Sequence, residues 1–159
     1  MVTFPPTWNP PAPPSRQDPY RDSPIYRAFV DAWARKQQKK WNCIYVLVDV
    51  HGVLMEPDYS KPSTRIYPEC VNPMRKMSED NRFRLIMWTC SKKDDIEKYL
   101  SIFQTLDIRF DWVNENPDVD LDSLGDYTSK LYANVILDDK AGFIPRYWND
   151  VDAFLNQIT

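Results

Sequence analysis

Three short apolar runs in this chain end on residues that can do chemistry. Ile44-Tyr45-Val46-Leu47-Val48 ends on Asp49, Arg84-Leu85-Ile86-Met87-Trp88 on Thr89, and Asn134-Val135-Ile136-Leu137 on Asp138 and Asp139. A carboxylate just past a buried strand can attack phosphorus and form an acyl phosphate. It needs help, because a phosphate dianion repels it. A hard cation neutralises the pair, and Mg²⁺ takes oxygen ligands while keeping several waters. Asp49, Asp138 and a backbone carbonyl near His51 can supply such oxygens. Thr89 can donate a hydrogen bond to a phosphate oxygen, and a lysine can offset the remaining charge. Lys130 is the favoured lysine because it shortly precedes the last run; Lys92 and Lys140 are substitutes. The plainer alternative is that a strand-terminal Asp or Thr simply caps the next helix or turn.

The elements that must position these groups are legible as patterns. The continuous apolar runs suit strands buried on both faces of a parallel sheet. The spacing predicts a helix over residues 68–80 with Val71, Met74 and Met77 inward. A second should start at Ser91, with Asp94 at capping-box spacing and Ile96, Tyr99, Leu100 and Phe103 on one stripe. Residues 110–113 read as a short third strand and 134–138 as a fourth. A closing helix over 144–157 carries Trp148, Val151, Leu155 and Ile158 on one side. Alternation of strands and helices implies a doubly wound α/β fold, a Rossmann-like three-layer sandwich with a mostly parallel sheet. Ligands in such sheets sit beyond the carboxyl ends of the strands, where strand order reverses. Asp49, Thr89 and the Asp138-Asp139 pair should therefore meet at one crevice.

Composition sets the outer bounds. The chain has 159 residues with 43% hydrophobic and 14% aromatic content, enough for a buried core. Length favours one domain with an appendage. No apolar run approaches the roughly 20 residues that span a bilayer, and residues 1–14 lack the pattern of a secretory signal. Three scattered cysteines and one histidine make a poor zinc set, and the odd cysteine count suits a reducing, cytoplasmic setting.

Charge is unevenly spread. Residues 1–43 hold seven Lys/Arg and three Asp, while the remainder holds 13 Lys/Arg and 20 Asp/Glu. Eight of 14 prolines precede residue 25, so residues 1–22 should be an extended, partly polyproline II arm. Such an arm either packs on its own domain or docks another protein through its proline and aromatic residues, Phe4 and Trp8 included. Residues 23–41 should form a basic helix capped by Ser23, with Tyr26, Phe29, Val30 and Trp33 inward, ahead of a core over 44–159. Arg35, Lys36, Lys39, Lys40 and Trp41 there either complement the helix dipole or form a nucleic-acid patch. The acidic remainder argues against a broad grip on nucleic acid.

The ordered set Asp49-Val50-His51-Gly52-Val53-Leu54, Thr89, Lys130 and Leu137-Asp138-Asp139 resembles motifs I to IV of the haloacid dehalogenase-like (HAD) phosphohydrolase superfamily. The likeness covers residues 44–145. The stretch Val71-Asn72-Pro73-Met74 is similar to part of the phosphatase domain of bacteriophage polynucleotide kinase. Residues 110–117 are similar to small phage HAD-like proteins. The resemblance implies Asp49 as nucleophile, with Asp138 and Asp139 holding Mg²⁺ beside the His51 carbonyl. It implies that Thr89 and Lys130 contact the phosphoryl group, and that the protein works in the cytoplasm, that of a host if phage-encoded. One departure stands out. The family places a second aspartate two residues after the nucleophile as acid and base, and here that position is His51, the only histidine.

Two readings follow. His51 can itself act as acid and base, since imidazole titrates near neutrality, although a bound cation disfavours its protonated form. Loss of acid–base catalysis costs on the order of 10²–10⁴-fold, so the alternative is an inactive HAD fold turned interaction protein, such as a phage factor binding host transcription or nucleic-acid machinery. Residues 55–69 are long enough for a loop or short flap, and no cap domain is inserted. An open crevice suits a large phosphorylated substrate, such as a nucleotide or polynucleotide end.

Overall fold

The computed structural model describes residues 19–20, 22–58, 60–61, 64–119, 125–127 and 129–159. The proline-rich arm therefore lies outside the described residues except at its end, where Tyr20 stacks on Tyr26 with ring centroids 5.1 Å apart.

Helix α1 spans Pro24–Lys39. Ser23 caps it by accepting from the Tyr26 N–H at 3.2 Å, and Pro24 occupies the first turn, where a missing N–H costs nothing. Its inner stripe carries Tyr26, Phe29 and Ala32 into the core. The chain reverses at Lys40, in the left-handed region with φ 56°. Strand β1 then runs Ile44–Asp49, helix α2 Pro68–Glu79, strand β2 Phe83–Trp88 and helix α3 Lys93–Thr105. The short strands β3 (Trp112–Val113) and β4 (Val135–Leu137) follow, and helix α4 closes the chain at Trp148–Ile158.

The sheet has the order β3-β2-β1-β4, and every pairing is parallel. The α/β class and Rossmann-like layering are as the sequence implies. Side chains alternate across each strand, so Ile44, Val46 and Val48 enter the core that α1, α2 and α4 share. Tyr45, Leu47 and Asp49 face the other way. There the connection from β3 to β4 approaches: Tyr132 meets the Tyr45 ring edge-on at 5.9 Å, and Asp118 accepts from the Tyr45 hydroxyl at 3.3 Å. The chain steps outward from β1 to β3 and then returns to the opposite flank of β1. Strand order thus reverses between β1 and β4, the place where such sheets hold ligands.

Several boundaries differ from expectation, and in two strands a side chain takes the place of backbone. The third strand is shorter than 110–113, since the Asp111 carboxylate accepts from the Leu85 N–H at 2.8 Å. The fourth begins at Val135, since the Asn134 side chain accepts from the Tyr45 N–H at 2.7 Å. The last helix starts at Trp148, preceded by a 3₁₀ turn over Pro145–Tyr147 that proline's fixed φ favours. Among the described residues no helix is long and apolar enough to cross a membrane. Cys43, Cys70 and Cys90 are free thiols.

Candidate functional site

The polar strand ends converge. Val48 pairs with Leu137, so one step further along the ladder Asp49 and Asp138 stand side by side on adjacent parallel strands. One oxygen each of Asp49, Asp138 and Asp139 lies within 4.8 Å of the other two. Among the described residues this is the one grouping of three or more acidic, His or Cys side chains with ion-binding spacing. An all-carboxylate set is the donor chemistry of a hard divalent cation.

Each carboxylate is placed by local backbone. Asp49 ends β1, and its Oδ1 accepts from the Val50 N–H at 2.8 Å. Asp138 ends β4, and its Oδ1 accepts from the Lys140 N–H at 2.8 Å. It thereby caps the 3₁₀ turn over Asp139–Ala141. Asp139 sits over Gly52, whose φ is +85°. A Cβ added at Gly52 would lie 2.7 Å from Asp139 Oδ2. Glycine there serves the turn and makes room for the third carboxylate.

The turn after β1 is tightly wound. The Val50 carbonyl accepts from Leu54 and Met55 at 2.8 and 2.9 Å, and the Gly52 N–H donates to Met55 at 2.7 Å. From the far side, buried Trp148 donates its indole N–H to the Val53 carbonyl at 2.8 Å. Beyond Met55 the chain makes a brief excursion and returns. Met55 bridges Ile66 antiparallel, and Glu56 donates to Arg65 at 2.9 Å. The described residues here agree with a loop or short flap, although Pro68 and Glu69 of the expected 55–69 already belong to α2.

The cleft has a volume of about 710 Å³. Asp49, His51, Trp88, Thr89, Asn114, Asp138, Asp139 and Lys140 all line it, as do Pro57 and Asp58 of the flap. Four aspartates face one lysine, so a phosphate dianion is repelled until a cation balances the charge. Burial pushes the Asp49 carboxyl up from its ordinary value; Asp138 and Asp139 push it further, and the Val50 N–H opposes them. The result is a pKa of about 7.

Thr89 lies where the strand end puts it, with its hydroxyl engaged. It donates to Ser91 Oγ at 3.0 Å and accepts from the Ser91 N–H at 3.1 Å. Asn114 holds the Thr89 backbone from both sides, accepting from its N–H at 2.9 Å and donating to its carbonyl at 2.8 Å. His51 Nε2 lies 3.3 Å from the hydroxyl of Tyr99, whose ring is buried.

Two sequence expectations need correction. Lys130 is exposed and does not line the cleft, whereas its substitute Lys140 does, with Nζ 3.3 Å from Asp139 Oδ2. Sequence proximity to β4 does not fix where the intervening loop points. Ser91 does not cap α3: the cap residue is Lys92, no side chain bonds there, and the Ser91 hydroxyl turns to Thr89 instead. Asp94 and Asp95 in the first turn still complement the helix dipole.

Sequence reasoning missed Gly52, Tyr99, Trp88 and Asn114 as site residues. Gly52 carried a signal, being one of only three glycines and lying just past a strand-terminal acid. Tyr99 and Trp88 looked like ordinary core residues. The basic segment from Lys36 to Trp41 precedes β1 and so lies at the end of the sheet opposite the cleft. There Lys36 Nζ sits 5.3 Å from the centroid of the Trp33 ring.

No family model matches the chain, and no curated protein matches it. A solved structure of a conserved protein from Bacteroides thetaiotaomicron superposes with a TM-score of 0.57 at 19% identity, covering 74% of this chain and 93% of that one. At that identity the likeness speaks to the fold alone.

Proposed function

We propose that the chain is a magnesium-dependent phosphomonoester hydrolase of the HAD type, with Asp49 as nucleophile. The observation that carries this reading is the meeting of Asp49, Asp138 and Asp139 oxygens within 4.8 Å at the switch point of a parallel sheet. The three carboxylates, with the His51 backbone carbonyl, would hold the ion. Bound there, Mg²⁺ would keep Asp49 ionised and offset the charge of the phosphoryl group.

The chain's own groups account for the remaining steps. Val50 holds one Asp49 oxygen, leaving the other to form the bond to phosphorus as the ester P–O bond breaks. Thr89 turns its hydroxyl proton from Ser91 to a phosphoryl oxygen while still accepting from the Ser91 N–H. Lys140 adds positive charge at the rim. His51 gives its proton to the departing alkoxide, then takes one from the water that cleaves the aspartyl phosphate. Inorganic phosphate leaves and Asp49 is restored. The Tyr99 hydroxyl can accept from a protonated Nε2 or donate to a bare one, so it holds the ring in both states and leaves Nδ1 for proton transfer.

The experiment is hydrolysis of a generic aryl phosphate with Mg²⁺, wild type against Asp49→Asn. The substitution should lower turnover on the order of 10⁴-fold. The second reading, an interaction protein on the same fold, is favoured by His51 standing where the resembling family has its acid/base aspartate. Mg²⁺ binding with no hydrolysis by either protein would select it. A large gain from His51→Asp would mark the native residue as a handicap.

A further inference from the structure

Trp88 is not used by the fold as Trp148 and Trp33 are. Trp148 is buried and bonded to the Val53 carbonyl, and Trp33 stacks on Phe83 at 5.9 Å with Arg82 and Lys36 against it. Trp88 is 38% exposed and makes no ring pair, cation contact or side-chain hydrogen bond among the described residues. It nevertheless lines the cleft of the carboxylate cluster.

Register fixes its relation to that cluster. Asp49 and Trp88 are partners across the parallel β1–β2 ladder, so their side chains leave the same face of the sheet. Asp138 is the neighbour of Asp49 on the other flank. Asp138, Asp49 and the indole thus form one row across three adjacent strands, spaced by about 4.8 Å per strand. The row is held firmly: Trp88 closes the β2 ladder, and the next residue is clamped by Asn114 on both its N–H and its carbonyl. A phosphate seated against Asp49 leaves its ester group beside the exposed indole, with Pro57 and Asp58 lining the same cleft.

We infer that Trp88 is a substrate-binding platform, and that the site selects phosphomonoesters whose organic group carries a planar aromatic ring, a nucleoside or an aryl group. An indole stacks on any such ring, whereas a ribose or glycerol group offers it no π-face. The inference rests on the reading of the cleft as a phosphate site, and is independent of whether hydrolysis follows.

The test is calorimetric binding with Mg²⁺ in the Asp49→Asn background, which suppresses turnover. The ligands are adenosine 5′-monophosphate, phenyl phosphate, ribose 5-phosphate, glycerol 3-phosphate and inorganic phosphate. The aromatic esters should bind at least about tenfold more tightly than ribose 5-phosphate. Adding Trp88→Ala should erase that difference and leave inorganic phosphate within about twofold, while Trp88→Phe keeps most of it. Preference for the nucleotide over phenyl phosphate assigns a nucleoside, and the converse assigns a simple aryl group; either supports the class. Equal binding of aromatic and non-aromatic esters, with inorganic phosphate still bound, overturns this inference alone. So does a Trp88→Ala change that weakens all ligands alike. Failure of every ligand, inorganic phosphate included, overturns the phosphate site and this inference with it.

Discussion

Asp49→Asn should make the metal-free protein more stable at alkaline pH, although it removes the proposed nucleophile. Burial and the neighbouring Asp138 and Asp139 charges raise the Asp49 carboxyl from 3.8 to about 7. The folded chain therefore holds that proton more tightly than the unfolded chain does. By linkage, stability is fully present below about pH 4 and is lost as pH climbs towards 7. At about 1.4 kcal/mol per pH unit, that span sets a ceiling of about 4 kcal/mol. Asp49 is only half-buried and solvent screens part of the effect, so about 2 kcal/mol is the working figure. Asparagine keeps an oxygen for the Val50 N–H and removes the charge. Its melting temperature in chelator at pH 8 should exceed that of wild type by about 4–8 °C. At pH 4 the two should agree. Saturating Mg²⁺ should close or invert the gap, because binding at about 100 times Kd stabilises the wild type by about 2.7 kcal/mol. Thermal unfolding followed by circular dichroism at both pH values, with chelator and with Mg²⁺, makes the comparison. An asparagine variant no more stable than wild type at pH 8, or equally favoured at both pH values, would refute the charge-crowding argument.

Gly52→Ala should cost about 1–2 kcal/mol through its positive φ and displace Asp139, whose Oδ2 lies 2.7 Å from where the new Cβ would stand; Mg²⁺ titration should report about tenfold weaker binding, and unchanged affinity would show that Asp139 is not a ligand. Trp148→Phe should cost about 2–4 kcal/mol in urea unfolding, because it opens a buried space and strips the Val53 carbonyl of its partner; a loss under about 0.5 kcal/mol would mean the turn after β1 needs no such anchor. Asn114→Ala should lower kcat/KM about tenfold by freeing the Thr89 backbone, and should cost about 1–2 kcal/mol because position 114 sits in the left-handed region at φ 54°; unaltered kinetics would remove Thr89 from the phosphate contacts.

The sequence by itself determined the strands and the polar residues at their tips. The apolar runs ending on Asp49 and Asp138 suit buried strands with carboxylates at their tips. The α/β alternation then required both tips at one end of a parallel sheet, which is where they meet. Helix stripes such as Tyr26-Phe29 and Met74-Met77 were legible for the same reason: burial imposes a period, and a period is a local signal. Tertiary structure alone decided what depended on neighbours distant in the chain. Asp111 and Asn134 delayed the start of β3 and β4 by using side chains in place of backbone, and Ser91 gave up a helix cap for a bond to Thr89. Lys140 took the place at the cleft that proximity had suggested for Lys130. Above all, the pairing of Trp88 with Asp49 is a fact of register. Register is set by the packing of whole strands against a shared core, and no short window of sequence encodes which residue of one strand will lie beside which residue of another.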